Sequence, residues 1–467
     1  MQINDGKMSQ KIKFGSKIGL IAATVGSAVG LGNVWRFPAE TQANGGAVFL
    51  LIYIGCVFLL GIPVMTAEFS LGRGGNSDAT GAFRNVTPDR KGWWMVGALA
   101  ILASYLILSF YMVVSGWTLE YLVQSLSGNL YASDSAGGST ASIAGEEQLF
   151  SDKMASYITG TYRPLVMTAI MIFANLFVLL KGVQKGIEKM SNIMMPILFV
   201  LLIIFCGVAL SLPKAAEGVE FFLKPDFSAV TPKTVVNALG QAFFSLSLAM
   251  GILVTYASYY PADTKLTRTA VTVSLLDLGT AILMGLIIFP AVMTFGLADH
   301  NLAGSALVFV TLPEIFAQMG GTLFWSSLFF LLLSVAAFTS TISLAEVSVA
   351  FMECRFGMSR KRAVMTVVLP LLVLSTICSL SVGPWSDFKI WGLTIFDFLD
   401  TVATNIMLPV GGILLCIYMG WVAPRSFFRN ELTNHGTLTS HVFGLIAFIV
   451  KWVAPALIAV VLVGQFI

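Results

Sequence analysis

Several residues able to do chemistry lie inside long apolar runs. Asp277, Glu68 and Glu346 are carboxylates in such stretches. Asn33 and Arg36 end the segment Gly26-Ser27-Ala28-Val29-Gly30-Leu31-Gly32-Asn33-Val34-Trp35-Arg36-Phe37-Pro38. A second polar patch runs Gln241-Ala242-Phe243-Phe244-Ser245-Leu246-Ser247-Leu248-Ala249-Met250-Gly251, and a third is Thr339-Ser340. Carboxylate, amide and hydroxyl oxygens are ligands for hard cations. An ionisable group at membrane depth is a functional candidate by default. Taken alone, Thr339-Ser340 reads as helix-packing glue, and the serines of the second patch as hydroxyls bonded back to their own turn. Asp277 taken alone also allows a structural ion pair. No HExxH, GxSxG or phosphate loop is present, which argues against an enzyme. The five Cys form no CxxC pair and the three His have no ligand spacing.

The elements that must position these residues follow from composition. Of 467 residues 57% are hydrophobic and only 11% charged, against about 25% charged in soluble domains. So few charges cannot cover a soluble globule, and disorder, collagen and disulfide scaffolds are excluded as well. The chain reads as an all-α polytopic membrane protein, with about 20 apolar residues needed per span. The first 16 residues are polar and basic, a cytoplasmic segment. The apolar run after them is too long and glycine-rich for a signal peptide. Eleven spans are expected, near 17–41, 46–72, 93–127, 164–181, 190–212, 234–261, 267–296, 323–355, 361–381, 392–422 and 439–466. Residues 128–163, 213–233, 297–322 and 421–438 read as loops. An N-terminus in the cytoplasm puts a roughly threefold excess of Lys and Arg on the inner side. The C-terminus then lies outside, in a cell inner membrane, and the lipid bilayer is the chain's immediate partner. No nucleic-acid partner is expected, and the oligomeric state stays open.

Spans 1 and 6 read badly as continuous helices, because Gly and Pro disfavour helix by about 1 and 3 kcal/mol each. Gly26 and Gly30 alone fit a small-residue packing face, but Asn33 and Arg36 do not. Spans 1 and 6 lie five apart, as in carriers built from two five-span halves, here 17–212 and 234–422, with 439–466 an additional span. Broken helix ends offer N–H groups to a carboxylate and C=O groups to a cation.

At this point a family resemblance becomes specific. GSAVGLGNVWRFP (Gly26 to Pro38) with NGGAVF (Asn44 to Phe49) resembles the first-helix signature of the neurotransmitter:sodium symporter family. SLSLAMGILVTYASY (Ser245 to Tyr259) is similar to its sixth helix, and FTSTIS (Phe338 to Ser343) to its eighth. The rule for interrupted helices was framed partly on this family, so that agreement is one signal and not two. The resemblance, closest to the bacterial amino-acid branch, implies a five-plus-five inverted repeat with discontinuous helices 1 and 6. It also implies two sodium sites. The first takes Ala28, Asn33, Ser245 and Asp277 plus the substrate carboxylate. The second takes Gly26, Val29, Ala336, Thr339 and Ser340. Leu31, Gly32 and Tyr111 would hold the carboxylate, and Phe244 would cap the pocket. Ser27, Ala28, Ile107, Ser245, Ser247, Ala249, Met250, Ser340 and Leu344 would surround the rest of the substrate, with the Ala249 methyl limiting its size in favour of medium aliphatic side chains over Trp. The apolar members of this set read as plain core without the resemblance. Ser27 stands where monoamine carriers have Asp, which argues for amino acids.

Arg36 and Asp400 match an outer charged pair. At the inner gate the family's Trp, Arg and Asp are replaced by Phe14, Lys11 and Cys354, with Glu353 adjacent and Tyr259 completing the set. Lys lacks the planar fork of Arg, so a latch that is weaker, or rewired through Glu353, is expected. Glu68 and Glu346 are expected to support broken-helix backbone. Asp277 replaces the Asn of chloride-dependent members, and Ala281 replaces a serine, so chloride is not expected to be required although Tyr53, Gln241 and Ser245 remain. Proton antiport on the empty return step is a further consequence. The expected function is sodium-coupled import of a neutral, hydrophobic L-amino acid by alternating access. A proton-coupled or sodium-independent exchanger on the same fold is the alternative. A channel would need a symmetric filter or a carboxylate ring, and neither is evident.

Overall fold

The computed structural model describes residues 13–90, 92–132, 143–297, 304–438 and 442–465, and the side chains of 143–148 are outside that description. Lys11, His300 and His441 lie outside the described residues. Among those described the chain is helical, with one short antiparallel bridge between Ile390 and Leu393. Among the described residues nine helices are long and apolar enough to cross a membrane, and span 1 joins them as a bent pair, Lys17–Ala28 and Gly32–Ala43, at 53°. The others are span 2 (Ala47–Gly75), span 3 (Trp94–Ser127), span 4 (Tyr162–Leu180), span 5 (Val183–Leu210), span 7 (Leu266–Phe295), span 8 (Thr322–Phe356), span 9 (Arg360–Ser381), span 10 (Ile395–Val422) and span 11 (Phe443–Gly464). Span 6 is split into Pro232–Ser245 and Ile252–Ala257, each too short to cross alone. With it the eleven expected segments are all present.

Local chemistry sets the ends. The Ser16 hydroxyl accepts the Gly19 N–H at 2.9 Å and starts span 1. A Thr231–Thr234 capping box with Pro232 in the first turn starts span 6. Gly128, Gly296 and Gly357 end spans 3, 7 and 8 in the left-handed conformation. The expected loops are less irregular than their composition suggests. They hold the helices Ile143–Ile158, Ala215–Leu223, Leu312–Gln318 and Arg425–Leu432, which are short or polar and pack on the spans.

Span 8 is the centre, with 89% of its apolar window buried, and it packs most extensively on span 3. Spans 4, 5 and 11 are peripheral, with 39%, 39% and 33% buried. Their exposed apolar faces suit lipid. Span 2 lies against the second half of span 6 at Gly72, where a Cβ would overlap the Val254 carbonyl oxygen. That contact leaves no room for any side chain and holds the broken span close to the core.

Candidate functional site

The two breaks face each other in the middle of the bundle. Span 1 leaves the helix at Val29 (ψ 110°) and resumes at Gly32. A Cβ on Gly30 would lie 2.6 Å from Ser340 Oγ and 2.9 Å from the Tyr111 hydroxyl, so only glycine fits. In span 6 the turn after Ser245 passes through Ser247 (φ 53°), Ala249 (φ 61°) and Gly251 (φ 72°), all left-handed. Side-chain-bearing residues adopt that region at a cost of about 1–3 kcal/mol and need support from their surroundings. Here Ser247 Oγ donates to the Ser27 carbonyl at 2.8 Å, and the Ala249 N–H donates to Glu68 Oε1 at 2.7 Å. Glu68 therefore supports broken-helix backbone as expected.

Between the breaks is a cavity with about 380 Å³ of empty space, counting space open to the surroundings. Ser27, Ala28, Gly32, Ile107, Tyr111, Phe244, Ser245, Ser247, Met250, Ser340 and Leu344 line it, all of them predicted. Gly30 and Ile252 also line it and were missed, since neither has a side-chain function to advertise. No charged side chain is in the lining. Leu31, also predicted, is not in the lining, and its N–H donates to the Tyr111 hydroxyl at 3.0 Å. Ala249 is a correction. It lines a separate small space beside Glu68, with Phe83, Val96 and Gly411. The left-handed turn rotates its methyl away from the central cavity, which a helical reading of span 6 does not anticipate.

At one edge of the cavity Asn33, Ser245, Asp277 and Tyr53 form a buried cluster. Asn33 Nδ2 donates to Asp277 Oδ1 (2.8 Å) and Ser245 Oγ (3.1 Å). Ser245 Oγ donates to both Asp277 oxygens (3.0 and 2.8 Å), and the Tyr53 hydroxyl donates to Oδ2 (3.3 Å). Every group bonded to this fully buried carboxylate is neutral. An uncompensated buried charge is costly, so the donor set fits a cation as its counter-charge. A half-turn of the Asn33 amide turns its oxygen towards the cluster.

A second oxygen set lies against span 8. Ser340 Oγ is 3.4 Å from the carbonyls of both Gly26 and Val29, and Thr339 Oγ1 is 3.0 Å from the Ala336 carbonyl. All five predicted residues are thus brought together. Carbonyl and hydroxyl oxygens alone suit a hard monovalent cation. Among the described residues no group of three or more His, Cys, Asp or Glu could hold a metal ion.

On the side of the chain's N-terminus the cavity is sealed. The Phe14 ring makes contacts with Tyr256, Tyr259 and Tyr260 at 5.9, 6.1 and 6.2 Å, and its N–H donates to the Tyr259 carbonyl at 3.0 Å. The Glu188 carboxylate accepts from the backbone of Gly15 and Ser16 and from the Ser16 hydroxyl. The Tyr259 hydroxyl donates to Glu346 Oε1 at 2.8 Å. Arg360 then bridges Glu346 (2.6 Å) and Glu353 (3.2 Å). Glu346 is the second correction, because its partners are Arg360 and Tyr259 rather than broken-helix backbone. Glu353, placed at the inner gate by the sequence reading, meets Arg360 in the same bridge. Arg360 and Glu188 were not singled out by sequence, since their roles depend on helices that meet only in the fold.

On the opposite side Arg36 and Asp400 are half-buried, and no ion pair within 4.0 Å joins them. The Arg36 guanidinium lies 4.8 Å from the centroid of the Phe244 ring, and Asp400 accepts from the Thr404 hydroxyl.

The model of the Sodium:neurotransmitter symporter family matches residues 11–142 and 159–467. A sodium-dependent transporter of Bacillus subtilis (YhdH), itself uncharacterized, is 36% identical over 451 residues, covering 96% of each chain. Another, from Haemophilus influenzae, is 32% identical over 98% of each chain. Among solved structures, MhsT in complex with L-phenylalanine is 39% identical with a TM-score of 0.86, covering 98% of this chain and 100% of its own.

Proposed function

Since the chain belongs to the sodium:neurotransmitter symporter family, we propose that it imports a neutral, hydrophobic L-amino acid together with sodium by alternating access. It is a multi-pass, sodium-dependent symporter and not an enzyme. The observation that carries the substrate reading is the central cavity. Its lining is neutral throughout, and helix-end N–H groups at Leu31 and Gly32 stand beside the Tyr111 hydroxyl. Those donors suit a carboxylate, and carbonyls at the ends of spans 1 and 6 suit an amine. Ile107, Met250, Leu344 and Phe244 leave an apolar space for the side chain, and MhsT was crystallised with an amino acid of that kind. Ala249 no longer supports a preference for medium aliphatic side chains.

Two sodium ions are proposed, at the Asn33–Ser245–Asp277 cluster with the Ala28 carbonyl and at the Gly26–Val29–Ala336–Thr339–Ser340 set. The substrate carboxylate reaching the first ion gives each a higher affinity when the other is bound. Asp277 supplies a fixed negative charge there, so transport is proposed to be chloride-independent. Proton uptake by Asp277 would balance the charge on the empty return. The five-plus-five halves would move as a bundle of spans 1, 2, 6 and 7 against spans 3, 4, 8 and 9, with the N-terminus in the cytoplasm and the C-terminus outside the plasma membrane. Counterflow of labelled leucine, methionine and phenylalanine in proteoliposomes tests this reading. Exchange that needs sodium and proceeds equally in gluconate and chloride is expected. Sodium-independent exchange would favour the exchanger alternative and overturn it.

A further inference from the structure

A second cavity, with about 830 Å³ of empty space open to the surroundings, lies between the end of span 3, the helix Ile143–Ile158 and the start of span 4. It is on the side away from the Phe14 seal, and nothing in the transport reading uses it. Beside it Glu120 is fully buried, and its Oε1 is ion-paired with Arg163 Nη2 at 2.8 Å and accepts from Gln124 Nε2 at 2.7 Å. That pairing engages one guanidinium nitrogen. Among the described residues the others have no partner, and the Arg163 side chain is 65% exposed in the cavity wall. The Tyr157 side chain lines the same cavity, is 6% exposed, and its hydroxyl has no hydrogen-bond partner. Such a hydroxyl is costly to leave unmatched. Lys153 also lines the wall, but its ammonium is already bonded to the carbonyls of Leu130 and Ala132 at 2.7 Å. A free guanidinium edge beside an unmatched hydroxyl is a receptor for an oxyanion, because Arg meets phosphate oxygens with two parallel bonds.

The surroundings indicate where that oxyanion comes from. Arg163 is in the first turn of a peripheral span, at the level where a membrane's headgroups lie. Below it on span 4 the exposed residues Val166, Ile170, Phe173 and Phe177 recur at helical spacing, exposed by 53%, 46%, 56% and 60%. This stripe starts about one turn along span 4 from Arg163 and gives an acyl chain an apolar track. We propose that the cavity binds the phosphodiester of a membrane phospholipid, with Arg163 and Tyr157 on the phosphate and the acyl chain along span 4. Glu120 is then a positioning residue that holds the guanidinium at the wall.

Native mass spectrometry of the full-length protein in detergent doped with phosphatidylglycerol tests this. Diacylglycerol is the phosphate-free control, and inorganic phosphate is the competitor. One phosphatidylglycerol retained per chain is expected, with diacylglycerol not retained. Arg163→Ala should weaken retention roughly tenfold or more, and Tyr157→Phe about threefold. Arg163→Lys keeps a cation for Glu120 but loses the fork. It should melt like the wild type while retaining several-fold less lipid, which a purely structural role does not produce. Full retention in Arg163→Lys and Tyr157→Phe overturns the proposal. So does displacement of the lipid by inorganic phosphate at equal concentration, which would mark a site for free anions.

Discussion

The two ends of the central cavity are closed by different means. On the N-terminal side an aromatic cluster around Phe14 is backed by Glu188 on span 5 and by the Arg360 bridge between Glu346 and Glu353. Glu346 is fully buried, so the bridge works where water does not weaken it. On the other side stand two half-buried charges with no ion pair and the ring of Phe244. One closure is cooperative and dry, and the other is open to solvent and made of few contacts. The cavity is therefore sealed on the inner side of the proposed topology and closed outside by little more than a side chain. In that proposed topology a carrier in this state would take up substrate from outside.

The largest expected effect comes from removing Arg360. Arg360→Ala strands the buried Glu346 carboxylate, at a cost of about 3–5 kcal/mol to the sealed state. The inner side should then open, seen as rapid maleimide labelling of an Ala257→Cys reporter in a background without the native cysteines. Slow labelling in both backgrounds would mean that the bridge does not hold the seal. Next is the cation cluster between the two closures. Asn33→Ala should raise the sodium concentration needed for substrate binding and weaken amino-acid affinity together, each about tenfold, as a coupling of 1–3 kcal/mol implies. Scintillation-proximity binding over a sodium titration reads both, and normal sodium-driven binding would remove Asn33 from the site.

Smaller effects belong to the outer closure. Arg36→Ala breaks no ion pair in this state, so substrate affinity should change by less than about fivefold, within the range of exposed pairs. A loss as large as that of Asn33→Ala would show that the outer pair forms on binding and matters as much as the inner latch. The smallest change should come from Ala249→Gly. With its methyl outside the central cavity, the ranking of leucine, phenylalanine and tryptophan in a competition panel should stay as in the wild type. The left-handed φ of Ala249 predicts a slight gain in thermal stability, about 1 kcal/mol or less. Improved tryptophan binding would return Ala249 to the pocket.

Much of the site could be read from residue order because it is made of local breaks. Span 1 breaks at Val29–Leu31 around Gly30 and resumes at Gly32, and the signature around them carries Asn33 and the backbone ligands with it. The polar patch from Gln241 to Gly251 likewise announces the second break. Ala249 lies outside the central lining because the direction of a methyl in an unwound turn depends on the left-handed φ at Ser247 and Ala249 and on Glu68, which arrives from span 2. Glu346 was misjudged because its partner enters from span 9.

By itself the sequence determined the membrane class, the eleven segments, the two interruptions and most of the cavity's lining. The first three follow from hydropathy and from backbone limits at Gly and Pro, which act over a few residues, and the lining follows from the resemblance of the first, sixth and eighth spans to the family's signatures. Only the tertiary structure decided that Arg360 joins Glu346 to Glu353, that Glu188 caps the start of span 1, and that Arg36 and Asp400 stand apart. These are meetings between helices distant in the chain. Their energies depend on distance and burial, which hydropathy along the chain does not encode.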